Sequence, residues 1–222
     1  MNKKLVIIGA GGHGKVCAEI AELNGYKEIV FLDNDINKTT CLGYPIKGNN
    51  KDVEKFISKG YDVFVAIGNN KIRKDISENI NQLVTLIHPQ SVISNTCTIE
   101  KGTVIMPNVV INSSCKIGKG VIINTAATID HDCTISDYVH ISPGAHLGGT
   151  CYIGEKAWIG LGSSVINNIE IEKDAIIGAG SVIIRKVEKG MKYVGNPAKM
   201  IGGGVTRLNF SLIKNGYSLM YL

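Results

Sequence analysis

From residue 93 to residue 183 a branched aliphatic side chain returns at every sixth position: Ile93, Ile99, Ile105, Ile111, Ile117, Ile123, Ile129, Ile135, Ile141, Leu147, Ile153, Ile159, Val165, Ile171, Ile177 and Ile183. Sixteen positions in one register are not a chance pattern, and a repeat of this kind decides the architecture before local propensity is weighed. A period of six matches neither the 3.6-residue helix nor the two-residue strand. It matches a solenoid whose flat faces are one hexapeptide long and whose coil is a triangle of three hexapeptides. The aliphatic residues fill the interior, and the Ser, Cys, Thr, Val, Ala or Ile two positions earlier fits near a corner. Glycines such as Gly118, Gly154, Gly160 and Gly178 are expected to relieve the turns. The run gives roughly five coils, so the prism is on the order of 25 Å tall at the usual strand spacing.

The same register accounts for the cysteines. Cys97, Cys115, Cys133 and Cys151 are 18 residues apart, one full coil, and so belong to one interior column. No CxxC pair occurs among the six cysteines, and buried thiols are the expectation rather than disulfides or metal ligands.

The first eighty-odd residues follow a different rule. KKLVIIGAGGHGKVCAEIAELNGYKEIVFLDND reads as a buried parallel strand over 4–8, a glycine turn, an amphipathic helix over about 13–24 and a second strand ending in acids. Gly9, Gly11, Gly12 and Gly14 permit a tight turn and close approach of a ligand to the free N–H groups at the helix start. YDVFVAIGNN supplies a third strand stopping at Gly68, KIRKDISENI a helix, and QLVTLIHP a fourth strand reaching Pro89. This half is expected to be a small Rossmann-like α/β domain that binds a ligand at the strand C-termini. A complete NAD site is disfavoured, because His13 stands where a dinucleotide fingerprint has a small or apolar residue, and the segment is too short for six strands.

A formal charge of +5, dispersed among acids, gives no basic stripe for nucleic acid and suits an anionic small molecule equally well. The apolar run in MNKKLVIIGAGG meets glycines too soon for a signal peptide or a span, and no later stretch reaches membrane-spanning length. A cytoplasmic protein without integral membrane contact is expected.

Together the hexad, VGNPAKMIGG at 194–203, IIGAGGHGK, AIGNNKIRK and the pair His131–Asp132 resemble the two-domain hexapeptide-repeat sugar O-acyltransferase family, which includes bacterial UDP-4-amino-sugar N-acetyltransferases and sialic acid O-acetyltransferases. The resemblance covers residues 1 to about 203. It implies a left-handed parallel β-helix over 87–203, a Rossmann-like sugar-nucleotide-binding domain over 1–86, and a C-terminal extension over 204–222 whose apolar residues argue for packing against a neighbour.

In the repeat register His131 and Asp132 fall between the inward Ile129 and Ile135, near a corner where side chains leave the prism. An imidazole there suits a general base that takes a proton from an attacking amine or hydroxyl. Family resemblance makes Asp132 the carboxylate that orients the ring, with Asp130 as the second candidate; neighbours in a strand face opposite ways, so either requires a local bend. Direct attack of the acceptor on an acyl thioester follows, since no triad accompanies the cysteines. The resemblance further implies acetyl-CoA as co-substrate and no metal. His140, Leu161 and Ala179 would line the CoA groove between the subunits of a homotrimer. Gly12 and His13 would lie near the phosphates, Asp33 and Asn34 near uridine and ribose, and Gly68 and Asn69 across the cleft. His146 has no assigned role, and Asn124 and Asn167 fit either interior ladders or ligand contacts.

The function so implied is acetyl-CoA-dependent N-acetylation of the 4-amino group of a UDP-4-amino-4,6-dideoxy-N-acetylhexosamine in bacterial glycan biosynthesis. Its rivals are O-acetylation of sialic acid or a related sugar, and a non-catalytic nucleotide-sensing scaffold.

Overall fold

The computed structural model describes residues 3–203, so the expectation for 204–222 lies outside the described residues. Its first unit is β1 (Lys3–Ile8), α1 (Gly12–Leu23), β2 (Tyr26–Leu32), the short β3 (Thr40–Cys41) and β4 (Tyr44–Pro45), α2 (Val53–Ile57), β5 (Asp62–Val65) and α3 (Asn70–Ser77). The long strands form a parallel sheet in the order β2–β1–β5. Leu5 through Ile8 are fully buried, as a strand covered on both faces requires. The α1 face Gly14, Cys17, Ala18 and Ala21 packs on one side of this sheet.

The strand expected over 82–89 does not join that sheet. Leu83 makes one bridge to Val63, and then Leu86–Ile87 pairs with Val104–Ile105 of the solenoid. The Leu86 and His88 amides donate to the carbonyls of Thr103 and Ile105, so the first solenoid rung begins at Leu86.

Beyond it, each hexapeptide contributes a two-residue rung, and rungs 18 residues apart stack in parallel into three faces. The first face runs Leu86, Val104, Ile122, His140, Trp158 and Ile176 on its outer side; it continues into the antiparallel hairpin Met191–Gly195 and Ala198–Gly203, turned by a cis Asn196–Pro197 bond. The second presents Val92, Val110, Thr128, His146, Ser164 and Val182; the third presents Thr98, Lys116, Thr134, Tyr152 and Glu170. The aliphatic positions from Ile105 to Ile183 are buried throughout, and each full burial contributes about 1.5–3 kcal/mol relative to exposure.

Corner chemistry is as regular as the interior. A left-handed residue recurs every six positions: Gly102, Asn108, Ser114, Gly120, Ala126, Asp132, Tyr138 and onward to Gly180. These positions, glycine at only some of them, carry the turn. Gly118, Gly154, Gly160 and Gly178 do not relieve it. They sit one residue after the aliphatic position, where a Cβ would come within 2.4–2.6 Å of Asp137, Lys173, Ile177 or Val194 on the next coil or the hairpin. Close stacking of coils, not backbone freedom, demands glycine there.

The cysteine column exists, and its thiols point along the axis. Cys97, Cys115, Cys133 and Cys151 each donate to the carbonyl 15 residues ahead, those of Asn112, Asp130, Gly148 and Ile166, at 3.0–3.3 Å. Thr103 and Ser163 do the same with hydroxyls, to Gly118 and Gly178 at 2.9 Å. Cys115, Cys133 and Cys151 are buried, but Cys97 is only partly covered. Its place in the first coil of the column leaves no preceding coil to shield it.

Among the described residues, the α/β unit shares its core with the first face. Leu86, Val104, Met106 and Ile122 share a core with Cys17, Ala18, Ala21 and Phe31. The corner leading into that face is tied down as well, by Arg73 to Gly120 and Tyr138 and by Asn70 to Lys156. In a triangular coil the edge opposite the first face is the corner between the second and the third. His131 occupies that corner, between the rungs Thr128–Ile129 and Thr134–Ile135.

Candidate active site

His131 Nδ1 lies 2.7 Å from Asp132 Oδ2. Two adjacent residues can meet this way because Asp132 has φ of 60°, the left-handed turn that every corner needs. Repeat closure therefore supplies the required bend without extra sequence. Asp130 acts differently. Its Oδ1 accepts from the His131 backbone N–H at 2.9 Å and from Asn112 Nδ2, one coil earlier, at 2.8 Å. Asp132 holds the ring and Asp130 holds the main chain beneath it.

The hydrogen bond to Asp132, followed by the charge of Asp130, raises the His131 pKa above the ordinary imidazole value. Bonding through Nδ1 leaves Nε2 as the free ring nitrogen. That nitrogen lies over Gly149, whose missing side chain makes room for it: a Cβ there would stand 2.7 Å from Nε2 and Cε1. Gly149 is one coil beyond His131, a relationship the 18-residue period contains although the sequence alone does not single it out. The Gly149 amide makes no hydrogen bond among the described residues, whereas its neighbours Gly148 and Thr150 donate to Val165 and His131. A groove of about 470 Å³ flanks the ring, lined by Ile93, Ile111, Asn112, Asp130 and His131 itself. His146, on the second face, bonds through Nδ1 to Thr128 Oγ1 at 2.9 Å and does not reach the pair.

In the α/β unit the four glycines divide into two kinds. Gly9, at φ of 108°, and Gly14 are needed for packing, since a Cβ on Gly14 would lie 2.0 Å from the Gly9 carbonyl oxygen. Gly11 and Gly12 face open space. Gly11 caps α1 without a side-chain hydrogen bond, and the first turn holds no acid, so its amides and the positive end of the helix dipole remain available. Asp33 accepts from the Ala10 amide at 2.7 Å and the Asp35 amide at 2.9 Å. Burial pushes its carboxyl up, but those amides and Lys38 outweigh burial and hold it low. Asn34 lines a groove of about 450 Å³ with Ile36, Asn49, Asn50 and Lys51. Asn69 caps α3 by accepting from the Ile72 amide, and the Gly68 carbonyl accepts from Arg73.

His13 and His140 both lie near the junction of the two units, where the His13 charge acts on His140. Burial, then the Arg73 charge, lowers His13 to about 4; burial, then Arg73 and His13, lowers His140 to about 3. Both rings are neutral near pH 7. His140 stacks on Trp158 at 5.5 Å and meets Asn124 Nδ2 at 3.2 Å through Nε2, while its Nδ1 is sealed without a partner. Thus Asn124 stands on the prism surface rather than in an interior ladder, and Asn167 is exposed. Leu161 and Ala179 are exposed together at the corner between the first and second faces, one coil apart. His140 sits on the flat face before that corner, so the three do not form one surface within the protomer. Among the described residues no cluster of His, Cys, Asp and Glu has metal-binding geometry, and no helix is long and apolar enough to cross a membrane.

A three-faced parallel solenoid with an oriented histidine on an open edge, docked to a small α/β domain with an anion-ready glycine turn, defines a class: the two-domain hexapeptide-repeat acyltransferases. Comparison with known proteins makes that class specific. Residues 4–80 match the model of the PglD N-terminal domain, and residues 96–131 that of the bacterial transferase hexapeptide. The acetyltransferase domain of PglB from Neisseria gonorrhoeae FA1090, in complex with acetyl coenzyme A, is 42% identical with a TM-score of 0.87, covering 90% of this chain and 100% of that one. A variant of perosamine N-acetyltransferase from Caulobacter crescentus, in complex with CoA and GDP-perosamine, is 35% identical with a TM-score of 0.86, covering 90% and 97%. UDP-N-acetylbacillosamine N-acetyltransferase of Bacillus subtilis (strain 168) is 38% identical over 109 residues, 46% of this chain and only half, 50%, of that protein. The chain belongs to the hexapeptide-repeat, PglD-type sugar-acetyltransferase family.

Proposed function

We propose that the protein transfers the acetyl group of acetyl-CoA to the 4-amino group of a UDP-4-amino-4,6-dideoxy-N-acetylhexosamine, in bacterial glycan biosynthesis in the cytoplasm. The observation that carries the chemistry is the His131–Asp132 pair, 2.7 Å apart on an open prism edge with Nε2 free. Family membership supports the donor, since the relatives above include one bound to acetyl coenzyme A and one bound to CoA and an amino-sugar nucleotide.

In this reading the acceptor nitrogen attacks the thioester carbonyl directly. His131 Nε2 takes the proton that the nitrogen sheds as the N–C bond forms, and passes it to the departing CoA sulfur; Asp132 stabilises the imidazolium in between. The free Gly149 amide, beside that nitrogen, donates to the carbonyl oxygen as its charge develops. The exposed corner at Leu161 and Ala179 suits the pantetheine arm, whose length runs along the coils. Gly12 and His13 hold the diphosphate, Asp33 and Asn34 the nucleoside, and Gly68 and Asn69 close the opposite side.

Such an acceptor cannot reach His131 of its own protomer, because the α/β unit covers the face opposite that edge. A neighbouring copy has to bring its nucleotide domain to this edge, which supports a closed homotrimer packed through the outer residues of the second face. The test is an acceptor screen over UDP- and GDP-amino sugars and nonulosonates with acetyl-CoA, read by thiol release. Turnover is expected with a UDP-4-amino sugar. Release confined to sialic acid would replace N- by O-acetylation, and no release with any acceptor would favour the scaffold.

A further inference from the structure

Arg73 is 1% exposed, the largest side chain buried to this degree among the described residues. Burial lowers its pKa to about 9, with no carboxylate among the groups that act on it. Its five N–H donors are all spent on oxygen atoms from separate segments. Nη1 donates to the carbonyls of Ile67 at 2.9 Å and Gly68 at 3.1 Å, on the loop after β5. Nε donates to Gly120 at 2.7 Å and Nη2 to Tyr138 at 2.8 Å, both at the prism corner leading into the docked face. Nη2 also donates to Asn70 Oδ1 at 2.8 Å, and Asn70 Nδ2 in turn donates to Lys156 O at 3.0 Å. Gly120, Tyr138 and Lys156 are successive residues of one column, 18 apart.

Two side chains one turn apart on α3 therefore grip three consecutive coils at the same corner, and one of them also holds the Gly68 loop. A salt bridge from Lys74 to Glu155, at 2.6 Å, lies alongside. A buried cation stabilised only by neutral oxygens is costly to retain for stability alone, and a planar fork suits it to fixing several acceptors at once.

We infer that Arg73 and Asn70 form a register clamp that sets the height of the Gly68–Asn69 loop on the prism, and so positions the nucleotide-linked acceptor for transfer. The inference rests on the acetyl-transfer reading and names residues that neither touch the reacting atoms nor belong to the cleft assigned above. Slippage by one coil would move the loop by about 4.8 Å, and misplacement of a reactant by even 1 Å costs roughly a hundredfold in rate.

The experiment uses the full-length chain with Arg73→Lys, which keeps the charge but loses the fork, and Asn70→Ser, which releases the Lys156 contact. In Asn70→Ser, Arg73 keeps its own bonds to the Gly68 loop while the tie that sets that loop's height against Lys156 is lost. For each, kcat per folded protein is measured at saturating acceptor and acetyl-CoA well below Tm, with calorimetric Kd values for UDP and CoA. We expect kcat to fall roughly ten- to a hundredfold, with CoA affinity unchanged in both variants and UDP affinity unchanged in Asn70→Ser. A lowered Tm with kcat within about twofold of wild type in both variants would make the clamp merely structural and overturn the inference. Absence of thiol release from the wild type would overturn the transfer reading itself, and this inference with it.

Discussion

Gly149 lies beneath the imidazole of His131, one coil further along the prism, where a Cβ would stand 2.7 Å from ring Nε2. The backbone of Gly149 is outside the left-handed region, so alanine suits its dihedrals and the ring has to give way. Gly149→Ala should reduce kcat roughly ten- to a hundredfold through displacement of the base, with Tm changed by only a few degrees. Steady-state kinetics beside a thermal melt checks it; wild-type turnover would remove Gly149 from the site.

His131→Ala should lower kcat by roughly 10²- to 10⁴-fold, the usual contribution of a general base. CoA affinity should stay near wild type, because the ring lies on a different corner of the prism from Leu161 and Ala179. Retention of more than about a third of wild-type turnover across the neutral range would rule out the assigned role of His131 as base.

The pH profile separates Asp132 from its neighbour. A base works when neutral, and the His131 pKa is raised, first by Asp132 and then by Asp130. The acidic limb of kcat/KM should thus lie above the pH expected of a free imidazole and be lost as pH falls through the raised pKa. Asp132→Asn, chosen because asparagine tolerates the left-handed backbone, should move that limb to lower pH and cost about tenfold in rate. The acceptor amine needs its own titration, since its protonation produces a similar limb. An unmoved limb would exclude Asp132 as the orienting group.

Thiol labelling tests the interior column. Cys115, Cys133 and Cys151 should resist a native-state reagent and react on denaturation, while the partly covered Cys97 reacts measurably without denaturant. Cys133→Arg should destabilise or unfold the prism by forcing an unpaired charge into the apolar interior. Rapid native labelling of Cys133 would contradict the register.

Subunit complementation tests the shared site. Gly12 faces open space, so Gly12→Asp should fold, yet its carboxylate opposes a diphosphate at the helix start. His131→Ala and Gly12→Asp homo-oligomers should each be nearly inactive, and dissociation and reassembly of the mixture should restore activity. Mixed oligomers no more active than their parents would place both halves of the site in one protomer, and a monomeric mass with full activity would exclude the trimer.

The sequence by itself determined the prism, because its period is a local property: a side chain every six residues points inward whatever lies around the coil. It also determined the cysteine column and the outward escape of His131, both of which follow from counting. The strand at Leu86–Ile87 was not legible as solenoid, since its apolar run suits a sheet of either unit and only the partners of its amides decide between them. The turn glycines were misassigned for a related reason. Left-handed dihedrals are imposed by closure of the coil, at Asp132 as readily as at a glycine, while Gly118, Gly149 and Gly154 answer to atoms one coil away. Tertiary structure alone decided that the α/β unit covers the face opposite His131, and that Arg73 and Asn70 hold it there. Those contacts join residues 47 to 86 positions apart, and no periodicity in the chain specifies which corner of an almost threefold-repetitive prism another domain will grip.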